Sequence, residues 1–168
     1  MPYNKHSNVW NEKNTKYFSE KTLIPIAQEG PHCVSTCLAI LTNKTPEYFQ
    51  EIVNTQDPVS WSDALKPFGM KLAYCPTDLR KLKYYLDELV DLDDLFVLCY
   101  YTTNDPIEIF KEPRSDGWIC GSHIVILHHD QIIDPAKGVT IPFNDHGLEE
   151  KYTKRIFRVL PVDSERGL

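Results

Sequence analysis

The pattern of apolar residues changes once along this chain, and the change limits the folds open to it. Up to Leu92 the apolar positions recur mainly at helical spacing; from Leu95 they run continuously or alternate. Val34, Cys37, Leu38 and Leu41 mark a helix from about Pro31 to Leu41, with Pro31 where a first turn tolerates proline. Thr45-Pro46-Glu47 opens a second helix over about Pro46 to Asn54. Ser60-Trp61-Ser62-Asp63 reads as a capping box for a short third helix that stops at Pro67-Phe68-Gly69. Thr77-Asp78 caps a longer helix with Leu79, Leu82, Leu86 and Leu89 on one face. Met70 to Tyr74 alternates as a strand between the last two helices.

Strands dominate the second half. Leu95 to Tyr101 is an unbroken apolar run, as in a strand buried on both faces. Residues 102–120 hold Pro106, Pro113, Asp116 and Gly117 and read as a long loop. His123 to Leu127 and Gln131 to Asp134 form a hairpin turning at His128-His129-Asp130, with both histidines at a solvent-exposed tip. Val139 to Ile141 and Arg155 to Leu160 follow as strands. Helices first and an antiparallel sheet second predict an α+β fold.

At 168 residues the chain suits one domain with a real core. We expect a polar N-terminal arm over residues 1–20, lying on the domain or partly disordered, the domain itself over 21–163, and a tail over 164–168. The formal net charge of −6 argues against a nucleic-acid or acidic-lipid binder. The short basic run Arg80-Lys81-Leu82-Lys83 reads as a solvated helix face, as does the acidic run Asp87, Asp91, Asp93, Asp94 at a helix end. No apolar run approaches a membrane span, and the first twenty residues lack the apolar core of a signal peptide. Five cysteines without framework spacing fit reduced thiols, so a cytoplasmic location is expected, with secretion without a cleaved signal as the alternative.

Two segments carry chemistry. Gln28-Glu29-Gly30-Pro31-His32-Cys33 places a thiol at a helix start, where unsatisfied amides favour the thiolate. Gly121-Ser122-His123-Ile124-Val125 and Asp134-Pro135-Ala136-Lys137-Gly138 place an imidazole and a carboxylate on paired strands, within one or two positions of facing each other. Cys33 would be the nucleophile, His123 its base and Asp134 the group that orients the base. Gln28 and the backbone N–H of Cys33 would donate to a developing oxyanion.

These segments resemble the papain-like cysteine peptidases, in particular the branch of double-glycine-leader (bacteriocin-processing) peptidases and their stand-alone relatives. The resemblance rests on Gln28, on Cys33-Val34-Ser35-Thr36-Cys37-Leu38-Ala39-Ile40, and on the His123 strand leading to Asp134-Pro135. It implies a papain-like fold, with the helix of Cys33 packed on a C-terminal antiparallel sheet. It implies the same four roles for Cys33, His123, Asp134 and Gln28, no cofactor, and a peptide or protein substrate. The sequence departs from that branch at His32 and Val34, where an acidic residue and a glycine are usual, and Gln28 lies one residue nearer the cysteine.

Cys-His-Asp machinery serves cleavage of a peptide or isopeptide bond, glutamine deamidation and acyl transfer alike. Two other classes stay open: a non-catalytic peptide-binding module on the same fold, and a thiol redox protein using Cys33 and Cys37. A zinc site from Cys33, Cys37, His123 and His128 lacks the close paired spacing of structural sites. Cys75, Cys99 and Cys120 read as core thiols, and Trp61, Phe68 and Tyr74 as core rather than ligand platforms. Trp118 is placed to line a cleft or to pack. The oligomeric state is not legible.

Overall fold

The computed structural model describes residues 9–110 and 121–168. Three helices come first: α1 (Cys33–Thr42), α2 (Pro46–Gln50) and α3 (Pro58–Leu65). Then come β1 (Met70–Cys75), α4 (Lys83–Leu92), β2 (Leu95–Tyr101) and a short α5 (Pro106–Phe110). The strands β3 (Ser122–His128), β4 (Gln131–Asp134) and β5 (Val139–Pro142) follow. A four-residue α6 (Phe143–His146) and β6 (Thr153–Pro161) come last, and two 3-10 turns, Lys66–Phe68 and Leu148–Glu150, complete the described elements. The six strands form one antiparallel sheet in the order β1-β6-β2-β3-β4-β5. The expected architecture is therefore present: an α+β fold with the helix of Cys33 packed on an antiparallel sheet.

The sheet is covered on both sides, which explains the unbroken apolar run of β2. Leu95, Val97 and Cys99 pack with α1, α2 and α3. Phe96, Leu98 and Tyr100 face the other way and pack with Tyr85, Leu86 and Leu89 of α4. A strand with helices on both faces has no polar side to alternate with. Helix α1 is buried on nearly all sides, from Val34 to Leu41, because it lies between the sheet and the other two helices.

Several expectations shift, each for a local reason. Helix α1 starts at Cys33 rather than Pro31, since Gly30 (φ 64) turns the chain and His32 takes the cap position with non-helical angles (φ −107, ψ 46). Helix α2 stops at Gln50, short of Asn54. The Asn54 N–H instead donates to Ser60 Oγ at 2.9 Å, and its carbonyl accepts from Trp61 Nε1 at 2.8 Å. Ser60 does not cap α3. Asp57 does, accepting from Val59 N at 3.1 Å ahead of Pro58, while the Ser60 hydroxyl donates to Asp57 O at 2.7 Å. In the loop, 106–110 is helical; the rest of 111–120, with Cys120 and Trp118, lies outside the described residues.

The acidic run is not all solvated. Asp94 is fully buried and pairs with the fully buried Arg158 at 2.7 Å. Asp94 also accepts from the backbone N–H of Tyr17 and Phe18, at 2.9 and 2.8 Å. Arg158 donates to Thr15 O at 2.7 Å and stacks against Trp10, Tyr17 and Phe96. This pair pins the N-terminal segment to the back of the sheet, with Val9 and Trp10 buried. The hairpin histidines are not free at a tip either. His128 reaches the carbonyls of Phe18 and Ser19, and His129 Nδ1 meets Asp93 Oδ1 at 2.6 Å. Tyr74, expected in the core, is 44% exposed and lies on Phe157.

Candidate active site

Cys33 is the first residue of α1. No acidic side chain occupies the first turn and no side chain caps it, so the positive end of the helix dipole is left for a ligand or a thiolate. The carbonyl of His32 anchors the entry, accepting from Thr36 N at 3.1 Å and Thr36 Oγ1 at 2.7 Å. Cys33 is half-buried at the edge of the core.

The hairpin delivers the two other groups. Pairing of Ile126 with Ile133 and Leu127 with Ile132 carries Asp134 to a position opposite Val125. His123 is two residues away on the same side of its strand, a diagonal neighbour. Its Nε2 donates to Asp134 Oδ1 at 2.8 Å. That leaves Nδ1 as the ring nitrogen available to Cys33, which lines the same cleft as His123 and adds to the causes that raise its pKa. Tyr100, opposite His123 on β2, closes on the imidazole edge-on at 5.7 Å between centroids.

The electrostatics follow from these contacts. Burial alone would push the His123 imidazolium towards losing its proton. The hydrogen bond to Asp134 and the charge of that carboxylate, with a further contribution from neighbouring Cys33, outweigh burial and raise its pKa to about 9. Burial would likewise raise the Asp134 carboxyl, but donors from His123, His146 and Ala136 N hold it far below the usual carboxylate range. His123 is therefore charged and Asp134 ionised at neutral pH.

The turn after Asp134 is fixed by the segment ahead of α1. The carbonyl of Asp134 accepts from Lys137 N and Gly138 N, at 3.1 and 2.8 Å. Gln28 N donates to Pro135 O at 2.7 Å. Gly138 has φ +67, and a Cβ there would stand 2.8 Å from Ala27 Cβ, so only glycine fits both the angle and the space. The Gln28 side chain is turned onto its own loop, with Nε2 donating to Gly30 O at 2.8 Å. The structure thus brings Cys33, His123 and Asp134 together and leaves Gln28 beside them, its amide engaged through one hydrogen.

A cleft of about 610 Å³ opens at Cys33 and His123, with Pro31, Trp61, Ser122, Lys154 and Arg155 among its walls. Trp61 is buried, as expected of a core residue, yet also lines the cleft. Cys37, one turn along α1, is sealed in the core. Its Sγ approaches Ile124 O at 3.6 Å, and burial foremost pushes its thiol well up, which weighs against a Cys33–Cys37 redox couple. Cys75 and Cys99 are buried, with thiols pushed up to about 12 mainly by burial. Among the described residues no cluster of side chains fits a metal ion, and no helix is long and apolar enough to cross a membrane.

Sequence reasoning missed His146, whose Nε2 meets Asp134 Oδ2 at 2.6 Å. It ends a four-residue helix with no apolar period, so only the fold reveals the contact.

No protein-family model matches the chain, and no curated protein matches it. The solved structures similar to the chain include two peptidases. One is a double-glycine motif protease from an AMS/PCAT transporter in complex with the leader peptide: 17% identity, TM-score 0.49, covering 88% of this chain and 96% of that one. The other is the peptidase domain of Streptococcus ComA, a bifunctional ABC transporter of a quorum-sensing pathway: 16% identity, TM-score 0.47, covering 83% and 99%.

Proposed function

We propose that the protein is a papain-like thiol hydrolase acting on an amide carbonyl, in a peptide, an isopeptide link or a glutamine side chain. The observation that carries this reading is His123, held between Cys33 and the buried Asp134 and kept charged at neutral pH. An imidazolium beside a thiol at a helix N-terminus is the arrangement that favours a thiolate.

Cys33 Sγ attacks the carbonyl carbon, and the oxygen takes up negative charge at the N-terminus of α1, where the Cys33 amide donates. The second hydrogen of Gln28 Nε2 would serve as the other donor. His123 gives its proton to the leaving nitrogen as the C–N bond breaks, leaving a thioester on Cys33. His123 then takes a proton from water, whose oxygen attacks the thioester. The acid product leaves, and the Cys33 thiolate returns beside the protonated His123. Asp134 keeps Nε2 protonated and Nδ1 towards the sulfur throughout. A second amine in place of water would give acyl transfer from the same intermediate.

The test is turnover of a proteome-derived peptide library, read by mass spectrometry, with hydroxylamine added to capture acyl groups as hydroxamates. We expect products from the wild type and from Cys37→Ala, and none from Cys33→Ala, His123→Ala or Asp134→Ala. Products formed equally by Cys33→Ala would overturn the proposal. Chain cleavage separates a peptidase from a deamidase, which converts glutamine to glutamate without shortening the peptide.

A further inference from the structure

Asp134 accepts more than an orienting carboxylate requires. Oδ1 takes His123 Nε2 at 2.8 Å and Ala136 N at 2.9 Å. Oδ2 takes His146 Nε2 at 2.6 Å. The His146 side chain is 5% exposed, and its Nδ1 is buried with no partner among the described residues. Facing an ionised oxygen, Nε2 must carry a hydrogen. An unpartnered buried Nδ1 is less costly as a bare lone pair than as the N–H of a cation. The geometry therefore selects the Nε2–H tautomer of His146.

The placement of this ring is fixed from both ends. Phe143 N, at the start of α6, donates to Asp130 O at 2.9 Å in the β3–β4 turn. Gly147 (φ 91) turns the chain directly after His146, and Leu148 is then buried in the core. A second cavity, about 340 Å³, lies here; Tyr100, His123, Asp134, Lys137, His146 and Lys151 line it. His123 also lines the cleft of Cys33, so one imidazole borders both spaces. Rotation about the bond that sets the carboxylate plane is soft. With Oδ1 alone engaged, the carboxylate of Asp134 could turn and release His123.

We infer that His146 is a positioning residue for this site: it donates to the Asp134 oxygen that His123 leaves free, locking the carboxylate plane and through it the His123 ring. The inference rests on the thiol-hydrolase reading for its consequence in catalysis, though the contact itself does not. His146 touches neither Cys33 nor any reacting atom, so its effect passes through Asp134.

The test compares wild type, His146→Gln and His146→Asn in the full chain. A glutamine amide reaches about where Nε2 stands, and an asparagine amide falls short. Two readouts are taken. Long-range proton–nitrogen NMR of the imidazoles reports tautomers and the His123 Nε2–H proton. Alkylation of Cys33 by iodoacetamide against pH, resolved by mass spectrometry, reports the thiol. We expect His146 as the Nε2–H tautomer in the wild type. We expect the His123 Nε2–H signal to persist in His146→Gln and to broaden or vanish in His146→Asn. Cys33 alkylation near pH 6 should fall about 10-fold or more in His146→Asn, by analogy with the loss of an outer hydrogen-bond partner, and recover to within about threefold in His146→Gln.

A His146 protonated only at Nδ1, or a His123 signal unchanged in a folded His146→Asn, would overturn the inference. So would a glutamine variant no better than the asparagine one. Absence of preferential Cys33 labelling in the wild type would instead sink the hydrolase reading. The NMR arm would then still decide whether His146 holds Asp134.

Discussion

Replacing Asp134 by alanine should discharge His123 at neutral pH. Two of the contributions that raise His123, the hydrogen bond and the charge of Asp134, disappear together, while the burial that opposes them stays. The His123 pKa should fall from about 9 to near or below its ordinary 6.5. A fall of about 2 units or more corresponds to roughly 3 kcal/mol of lost preference for the imidazolium. The same change alters how stability depends on pH. A group whose folded pKa lies above its unfolded value stabilises the fold fully below the unfolded pKa, and that contribution fades as pH rises through the folded one. The wild type should therefore lose up to about 3 kcal/mol between about pH 6.5 and pH 9, before discounting for solvent screening. Asp134 acts in the opposite window: its depressed carboxyl stabilises above its ordinary pKa, and that contribution is lost on acidification. NMR titration of the His123 ring, with urea midpoints at pH 6 and pH 9, measures both. A His123 that still titrates near 9 in Asp134→Ala would refute the reasoning. So would an unchanged difference between the two midpoints.

Two further substitutions probe what holds the site. Asp94→Ala strands the buried Arg158 charge and three donors, and should cost about 3–5 kcal/mol by chemical denaturation, much of it recovered in Asp94→Ala with Arg158→Met; a cost under about 1 kcal/mol, or no recovery, would contradict the account of the pair. Gly138→Ala puts a side chain at φ +67 against Ala27, so we expect a loss of about 2–4 kcal/mol from backbone strain and crowding, seen as a lowered Tm, whereas a neutral substitution would show that the Asp134 turn is not tightly zipped to the segment ahead of α1.

What the sequence makes legible here is set by how local the cause is. The strand β2 matches its expected span, Leu95 to Tyr101, because burial on both faces writes itself as consecutive apolar residues. The hairpin falls close to its expected place because two apolar runs flank a short polar turn, but the register that brings Asp134 diagonal to His123 is set by the strand pairing and is left open by the sequence. Helix α2 is shorter than its pattern, and the Asn54 N–H that would have continued it donates instead to Ser60 Oγ, beyond the helix. Asp94 reads as one more solvated acid because its partner Arg158 is far along the chain. His146 has the same character, since its role arises only when α6 folds back over the Asp134 turn. Gln28 is intermediate: its closeness to the Asp134 turn has no local signature, and its side chain answers to the carbonyl of Gly30, two residues on.

The central claim is that His123 makes Cys33 a nucleophile, and the rate of Cys33 alkylation at pH 6 tests it most directly. Cys75 and Cys99, pushed up to about 12 by burial, serve as internal references in the same sample, resolved peptide by peptide. The account predicts selective labelling of Cys33 in the wild type and loss of that selectivity in His123→Ala. Labelling of Cys33 that rises only near the free-thiol value of about 8.5, alike in both proteins, would contradict it.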